Sequence, residues 1–273
     1  MNFLRAITAI GLGYLLTLFF SCAVIVLWPF GLHTNVLVVW ANTVCALCVQ
    51  RILGIRTELN IPPLPEASLI VVFGNHPSSI CLAPYAWFIR RVLNRQMCAV
   101  SKDTMPFVIQ KAMNLTGWAI PISRDSNSTK AKQTIAERVR LLKDNVHRAL
   151  IIFPDSRRPT KARIKESREY YASRIEHLSE WLKYTLVPKS GGLHAIISGL
   201  PEKTIYIDVT VACNRNDSVL ETSNFYTNIS SLIGGVIYFT GEIVEPPRDE
   251  HELRLWLIER WKKKNIFIDS LRP

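Results

Sequence analysis

Charged residues are missing from one long stretch of this sequence. Between residues 6 and 50 there is no Asp, Glu, Lys or Arg, and only His33 could carry a charge. Residues 6–28 alone are long enough to cross a bilayer core, which takes roughly 20 apolar residues. Residues 36–52 are near the lower limit for such a helix. The two apolar runs therefore either span a membrane as a helical hairpin or dip into one leaflet as a re-entrant pair.

A cleaved signal peptide is the alternative interpretation, with residues 1–5 as its basic end. The length of the first apolar run, the lack of a small-x-small cleavage motif and the second apolar run all argue against it. Arg5 precedes the first run, and Arg51 and Arg56 follow the second. The positive-inside rule then puts both ends in the cytoplasm. We expect the rest of the chain to lie on the cytoplasmic face of a membrane, the bacterial inner membrane in the first instance.

The six cysteines lack the spacing of a disulfide framework or a zinc site, so we expect no metal. Basic residues outnumber acidic ones, 33 to 22, and nearly all of them follow the apolar region. A basic surface beside an apolar anchor suits the anionic headgroups of membrane lipid. Nucleic acid would also suit a basic surface, but no nucleic-acid-binding motif accompanies this one, and we expect no such partner.

A proline-rich segment, residues 61–65, cannot be helix interior and separates the apolar region from the rest. We assign residues 1–57 to a membrane-embedded two-helix segment and residues 58–273 to one domain. In that domain short β-rich runs alternate with longer helical ones, which predicts an α/β fold with a mixed, largely parallel sheet flanked by helices. The predicted strands cover residues 69–74, 97–101, 119–123, 149–153, 204–212 and 236–244, and the predicted helices cover residues 79–93, 105–115, 128–145, 162–184, 191–197 and 250–267.

The first candidate for catalysis is His76, which follows Asn75 and an apolar run typical of a buried strand. A strand ending there would present the imidazole at the carboxyl edge of the sheet, where open α/β folds bind their ligands. Small residues, 77–79, come next at the start of a predicted helix. Histidine suits a general base because its pKa lies near neutrality. An isolated histidine is as a rule structural, so the prediction depends on this placement.

Three basic motifs follow downstream. Arg124 ends an apolar run after Gly117, and an arginine at a strand end can hold a phosphate in a fixed fork of donors. Residues 153–158 place an acid and two arginines after another apolar run. Lys189 precedes the glycine pair 191–192 at a predicted helix N-terminus, which favours an anion. Ordinary structural interpretations exist for each: a surface arginine, a solvated basic turn, and glycines packed tightly on the sheet.

The C-terminal helix has a less specific pattern. Leu253, Trp256, Leu257 and Trp261 fall at helical spacing and predict an apolar face, with three lysines beyond it. That face either packs on the domain or contacts the membrane surface. Asp208, in the strand predicted over residues 204–212, has no role that the sequence assigns.

The four motifs, in this order and spacing, resemble those of the glycerolipid acyltransferase family. Asn75 and His76 match the start of block I, Asn-His-x-x-x-x-Asp, and Arg124 matches the end of block II. Residues 153–158 resemble block III, Phe-Pro-Glu-Gly-Thr-Arg, and the cluster around Lys189 resembles a later Pro, Lys and Gly block. The resemblance extends over most of the chain after the apolar region.

Two departures from the family pattern concern the chemistry. Cys81 stands where block I has its Asp, which in the family orients the histidine and stabilises the imidazolium. A neutral thiol replaces a carboxylate poorly, so an acid from another loop, Asp103, Asp125 or Asp155, could approach His76 instead. In block III, Asp155 keeps the acid with a shorter arm, and Ser156 replaces a glycine that has more backbone freedom.

The resemblance implies a membrane-bound O-acyltransferase of phospholipid synthesis. It would move an acyl chain from acyl-CoA or acyl-carrier protein to a lysophospholipid such as lysophosphatidic acid, with no cofactor beyond that co-substrate. The alternative is a catalytically silent relative that binds lipid or acyl-CoA, because the partner Asp is missing. The implied site consists of the catalytic residues His76, Cys81 and Asn75, the block III acid Asp155, and the phosphate-binding residues Arg124, Arg157, Arg158 and Lys189.

Overall fold

A computed structural model describes residues 2–31, 33–64, 69–76, 82–102, 106–122, 128–142, 148–214 and 232–271. Four residues that the sequence analysis weighs for the site, Cys81, Asp103, Arg124 and Asp125, lie outside these ranges. The other candidate site residues lie within them.

Seven strands within these ranges form one sheet: β1 (Arg56–Asn60), β2 (Ile70–Gly74), β3 (Gln96–Lys102), β4 (Ala119–Ile122), β5 (Arg148–Ile152), β6 (Ile205–Cys213) and β7 (Val236–Val244). Their spatial order is β1-β7-β6-β2-β5-β3-β4. Strands β6, β2, β5, β3 and β4 pair in parallel, β7 runs antiparallel to β6, and β1 pairs in parallel with β7. The predicted mixed, largely parallel sheet is confirmed, and β2 is its central strand.

Helices cover both faces of the sheet: α1 (Asn2–Leu27), α2 (His33–Thr43) continued by a π-helix (Val44–Ile52), α3 (Leu82–Arg91), α4 (Phe107–Thr116), α5 (Ser128–Arg140), α6 (Lys161–Tyr171), α7 (Leu178–Trp181), α8 (Ser190–Gly199) and α9 (Glu250–Ser270). Side chains alternate along each strand, so Ile70 and Val72 of β2 pack with α1 to α4. Val71 and Phe73 pack on the opposite face with α5, α7, α8 and α9.

The apolar N-terminal region is a helical hairpin whose two ends meet. The Arg5 side chain donates a hydrogen bond from Nε to the Ile52 carbonyl oxygen at 2.9 Å, which ties the start of α1 to the end of the π-helix. Midway along, Trp40 Nε1 donates to Thr17 Oγ1 at 3.0 Å. Residues Asn2–Phe30 are by length and composition sufficient to cross a membrane. Most of their large side chains are exposed, so this is not the buried core helix of a soluble domain.

Two of the secondary-structure expectations differ from the structure. The continuous helix predicted over residues 162–184 is wrong: α6 ends at Tyr171, and the short α7 begins after His177, which has φ 52°. The break turns Trp181 into the core beneath the sheet. Strand β1 was not predicted, because its side chains alternate between exposed and half-buried positions and form no apolar run. This edge strand crosses the domain boundary placed at residue 57.

Candidate active site

The centre of the site is the point where β2 leaves the sheet. Asn75, which directly follows this strand, is 1% exposed. Its Nδ2 donates to the Val211 carbonyl oxygen at 2.8 Å, and its Oδ1 accepts from the Val211 N–H at 2.9 Å. The amide therefore pairs with β6 as a backbone peptide would, extending the β2–β6 ladder past its last residue. Asn75 fixes the path of the chain into His76.

His76 lies at the carboxyl edge of the sheet and is half-buried. Its ring stacks on Phe153, which follows β5, with ring centroids 4.5 Å apart and an angle of 26° between planes. Its backbone N–H donates to Asp155 Oδ2 at 3.2 Å. The neighbouring strands on both sides of β2 thus contribute to its position: β6 through Asn75, and the β5 loop through Phe153 and Asp155.

Asp155 is 2% exposed, and both of its carboxylate oxygens accept hydrogen bonds. Oδ2 accepts from the His76 N–H, and Oδ1 accepts from Trp261 Nε1 at 2.5 Å. Burial raises the pKa of Asp155 to about 7, while these two donors and the Lys264 charge act in the opposite direction. The backbone N–H of His76 donates one of these bonds, so Asp155 stabilises the loop that carries His76.

The turn after Asp155 carries the predicted phosphate-binding arginines. Ser156 has φ 56°, in the left-handed region that glycine adopts most readily. Arg157 is exposed and Arg158 half-buried, and burial together with the nearby Arg163 charge lowers the pKa of Arg158. The guanidinium of Arg163 donates to the Arg158 carbonyl oxygen at 3.0 Å. This basic turn faces the same sheet edge as His76.

Lys189 reaches the same region from the start of α8. Its backbone N–H donates to the Pro154 carbonyl oxygen at 3.0 Å, and its side chain is exposed. The structure therefore brings Asn75, His76, Asp155, Arg157, Arg158 and Lys189 to one edge of the sheet.

A buried ionic cluster that the sequence analysis missed lies under this edge. The Lys264 ammonium is paired with Asp208 Oδ1, and also donates to the Val209 carbonyl oxygen at 2.9 Å and to Thr210 Oγ1 at 3.2 Å. Arg260 Nε donates to the other Asp208 oxygen at 2.5 Å. Lys264 is on the α9 stripe of Leu253, Leu257, Trp261 and Ile268, all buried. The helical spacing was the sequence signal for a buried lysine, because only one of the three consecutive lysines falls on the core face of α9.

No protein-family model and no curated protein matches this sequence. Among solved structures, the fold is similar to the crystal structure of PlsC, the 1-acyl-sn-glycerophosphate (LPA) acyltransferase from Thermotoga maritima, with a TM-score of 0.61. The alignment covers 98% of this chain and 97% of that chain, at 12% sequence identity. This likeness establishes the fold. Since nearly all of both chains is covered, it includes the N-terminal helices as well as the sheet.

Proposed function

We propose that this protein is a membrane-bound acyltransferase. It moves an acyl chain from the thioester of acyl-CoA or acyl-carrier protein to the free hydroxyl of a lysophospholipid such as lysophosphatidic acid. His76 is the general base, and Arg124, Arg157, Arg158 and Lys189 bind the acceptor phosphate. The observation that carries the proposal is a half-buried histidine fixed at the carboxyl edge of the central strand, beside a basic turn, in the fold of a known LPA acyltransferase.

In the proposed reaction, the imidazole takes the proton of the acceptor hydroxyl as its oxygen attacks the thioester carbonyl carbon. A C–O bond forms and the C–S bond breaks. The thiolate leaves with the proton that the imidazolium returns, so the products are an ester and a free thiol. No metal or covalent enzyme intermediate takes part. The arginines hold the acceptor phosphate bidentately and thereby direct its hydroxyl towards His76.

The N-terminal hairpin is the proposed membrane anchor. Its exposed apolar side chains, among them Phe3, Leu15, Phe19 and Phe30, would be buried in lipid. Because the bond from Arg5 to Ile52 holds the two ends of the hairpin together, both ends lie on one side. The positive-inside rule makes that side the cytoplasmic one. The catalytic domain then faces the leaflet that holds its acceptor.

The test is acyl transfer by the purified full chain in detergent micelles. Lysophosphatidic acid and other lysophospholipids serve as acceptors, oleoyl-CoA and oleoyl-acyl-carrier protein as donors, and mass spectrometry detects the product. His76→Ala should lower kcat about 10²- to 10⁴-fold, the usual contribution of a general base. His251→Ala is the matched control, because the His251 side chain is exposed on α9. It should retain wild-type turnover.

Two results would count against the proposal. Turnover by His76→Ala within a factor of two of the wild type would show that His76 is not the general base. If the wild type acylates none of these acceptors from either donor, the proposed acyltransferase activity is refuted.

A catalytically silent lipid- or acyl-CoA-binding relative is the second candidate, and Cys81 is the observation that favours it. In a serine protease triad, changing the orienting Asp to Asn lowers turnover about 10⁴-fold. A protein of this kind would bind acyl-CoA or lysolipid without turnover. Acyl transfer that appears only in Cys81→Asp would support it over the working enzyme.

A further inference from the structure

The C-terminal helix reaches the site through one carboxylate. Trp261 is fully buried on α9, and its indole N–H donates to Asp155 Oδ1 at 2.5 Å. The other oxygen of the same carboxylate accepts the His76 N–H at 3.2 Å. One side chain thus connects a helix near the end of the chain to the loop that carries His76, across 185 positions of sequence.

The bonding pattern suits an ionised Asp155. Both of its oxygens accept hydrogen bonds from N–H donors. In a protonated carboxyl one oxygen carries an O–H, which would face one of these N–H groups and could not accept from it in the same way. Burial opposes this charge and raises the pKa of Asp155 to about 7. Because this pKa lies close to physiological pH, the two N–H donors and the nearby cation decide what fraction of Asp155 is ionised there.

Lys264 supplies that cation: it lies one helical turn after Trp261, and its Nζ is 5.1 Å from the centre of the Trp261 ring whose indole N–H bonds to Asp155. Its ammonium is buried and held by Asp208, by the Val209 carbonyl oxygen and by Thr210 Oγ1, and its charge favours the ionised form of Asp155. On the described elements next to Asp155, the other charged or titratable groups include Asp208 of β6, Arg260 of α9, the His76 ring, Lys189 at the start of α8, and Arg157 and Arg158 of its own turn. Asp208 is shared by Lys264 and Arg260, so its negative charge is compensated on both sides.

We propose that Trp261 and Lys264 are positioning residues, which act on His76 through the Asp155 carboxylate. They keep that carboxylate charged and oriented, and it in turn fixes the His76 backbone above Phe153. This inference rests on the proposed role of His76 as the base.

The activity test compares two conservative variants with two matched controls. Trp261→Phe removes the indole donor and keeps an aromatic ring; Trp181→Phe makes the same change at a buried tryptophan whose indole bonds to no other described residue. Lys264→Met removes the buried cation, and Lys263→Met changes its exposed neighbour. The readout is the acid limb of the pH profile of kcat/KM, which contains the ionisations of Asp155 and His76.

Both test variants should move the midpoint of that limb to higher pH by about one unit, because each removes a group that favours the ionised carboxylate. KM for the acyl donor should change by less than about twofold. The controls should leave the midpoint in place. A test variant whose profile superimposes on that of the wild type would overturn the proposal, since a merely structural role lowers stability without moving this midpoint.

A second measurement needs no activity. With ¹⁵N-labelled indole groups, one of the seven tryptophan N–H resonances should titrate with a midpoint near pH 7 as Asp155 ionises. The titration should vanish in Asp155→Asn, which identifies the resonance even if Trp261→Phe does not fold. A wild type that shows this titration but no acyl transfer would refute the proposed acyltransferase function and still support the contact between Trp261 and Asp155. If no indole resonance titrates in a way that depends on Asp155, the proposed action of Trp261 on Asp155 is refuted.

Discussion

Replacing Asn75 with alanine tests whether the sheet itself holds the candidate base in place. The Asn75 amide makes two hydrogen bonds to Val211, of 2.8 and 2.9 Å, and both residues are buried. Val211 lies two residues beyond Val209, where the backbone pairing of β6 with β2 ends at Gly74. Alanine would leave the Val211 N–H and carbonyl oxygen facing a cavity.

The magnitude follows from these two orphaned groups. A buried polar group that loses its partner costs about 1–3 kcal/mol, so the two groups together predict a loss of about 2–6 kcal/mol in the free energy of unfolding. At roughly 2–4 °C per kcal/mol for a chain of this size, Tm should fall by about 4–24 °C. The freed Asn75 backbone also lets His76 shift, and a displacement of about 1 Å can cost on the order of 100-fold in rate.

The assay measures Tm by circular dichroism in detergent micelles, and acyl transfer well below the Tm of the variant. Asn114→Ala, an exposed site on α4, is the matched control and should change the free energy of unfolding by less than about 0.5 kcal/mol. Asn75→Asp keeps the shape of the side chain but lacks the donor to Val211. It should be at least as destabilising as alanine above the pKa of the new carboxyl.

Two outcomes would refute the reasoning. A Tm within about 2 °C of the wild type would mean that the Val211 groups find other partners. A large loss of Tm with unchanged kcat would limit Asn75 to the fold and exclude it from the catalytic set that the family resemblance implies.

Two further predictions concern the turn after β5. Ser156→Gly should raise the free energy of unfolding by about 1 kcal/mol, because φ 56° strains a serine and not a glycine; Tm is the measurement, and an unchanged or lower Tm would contradict it. The folded pKa of Asp155, about 7, exceeds its ordinary value of 3.8, so the folded state binds this proton more tightly and stability falls as pH rises from about 4 to 7. Asp155→Asn should abolish up to about 4 kcal/mol of that fall; equal losses of Tm between pH 5 and pH 8 in both proteins would contradict it.

The fold was readable from the sequence where apolar runs were strong. Strands buried on both faces, such as β2 and β5, are continuous apolar runs, and all six predicted strands form in the structure. The missed strand, β1, has the sequence Arg-Thr-Glu-Leu-Asn and lies at the sheet edge, where pairing with β7 and not burial makes it a strand. The helix break at His177 was equally unreadable, because packing of Trp181 on the core overrides the helical periodicity.

The candidate site was readable only in part, and for a related reason. The motif residues His76, Asp155 and Lys189 could be found because each follows a strand or precedes a helix in a recognisable local pattern. The contacts that hold them could not be predicted, because the partners come from distant segments of the chain. Trp261 was one of several positions on the predicted apolar face, and Lys264 falls on the same stripe of α9, but the spacing does not indicate that they meet Asp155 and Asp208.

Contacts from distant segments bear on how much the cysteine at position 81, in place of the block I Asp, would affect His76. A general base needs an orientation and a fitting pKa, and block I of the family derives both from an acid five positions away along the chain. In this protein the path of the chain at His76 is also set by Val211 through Asn75, by Phe153 through ring stacking, and by Asp155 through the backbone N–H. None of these contacts requires an acid at position 81. In the proposed reaction, Cys81 therefore affects the placement of His76 least, and stabilisation of the imidazolium is what Cys81→Asp should improve.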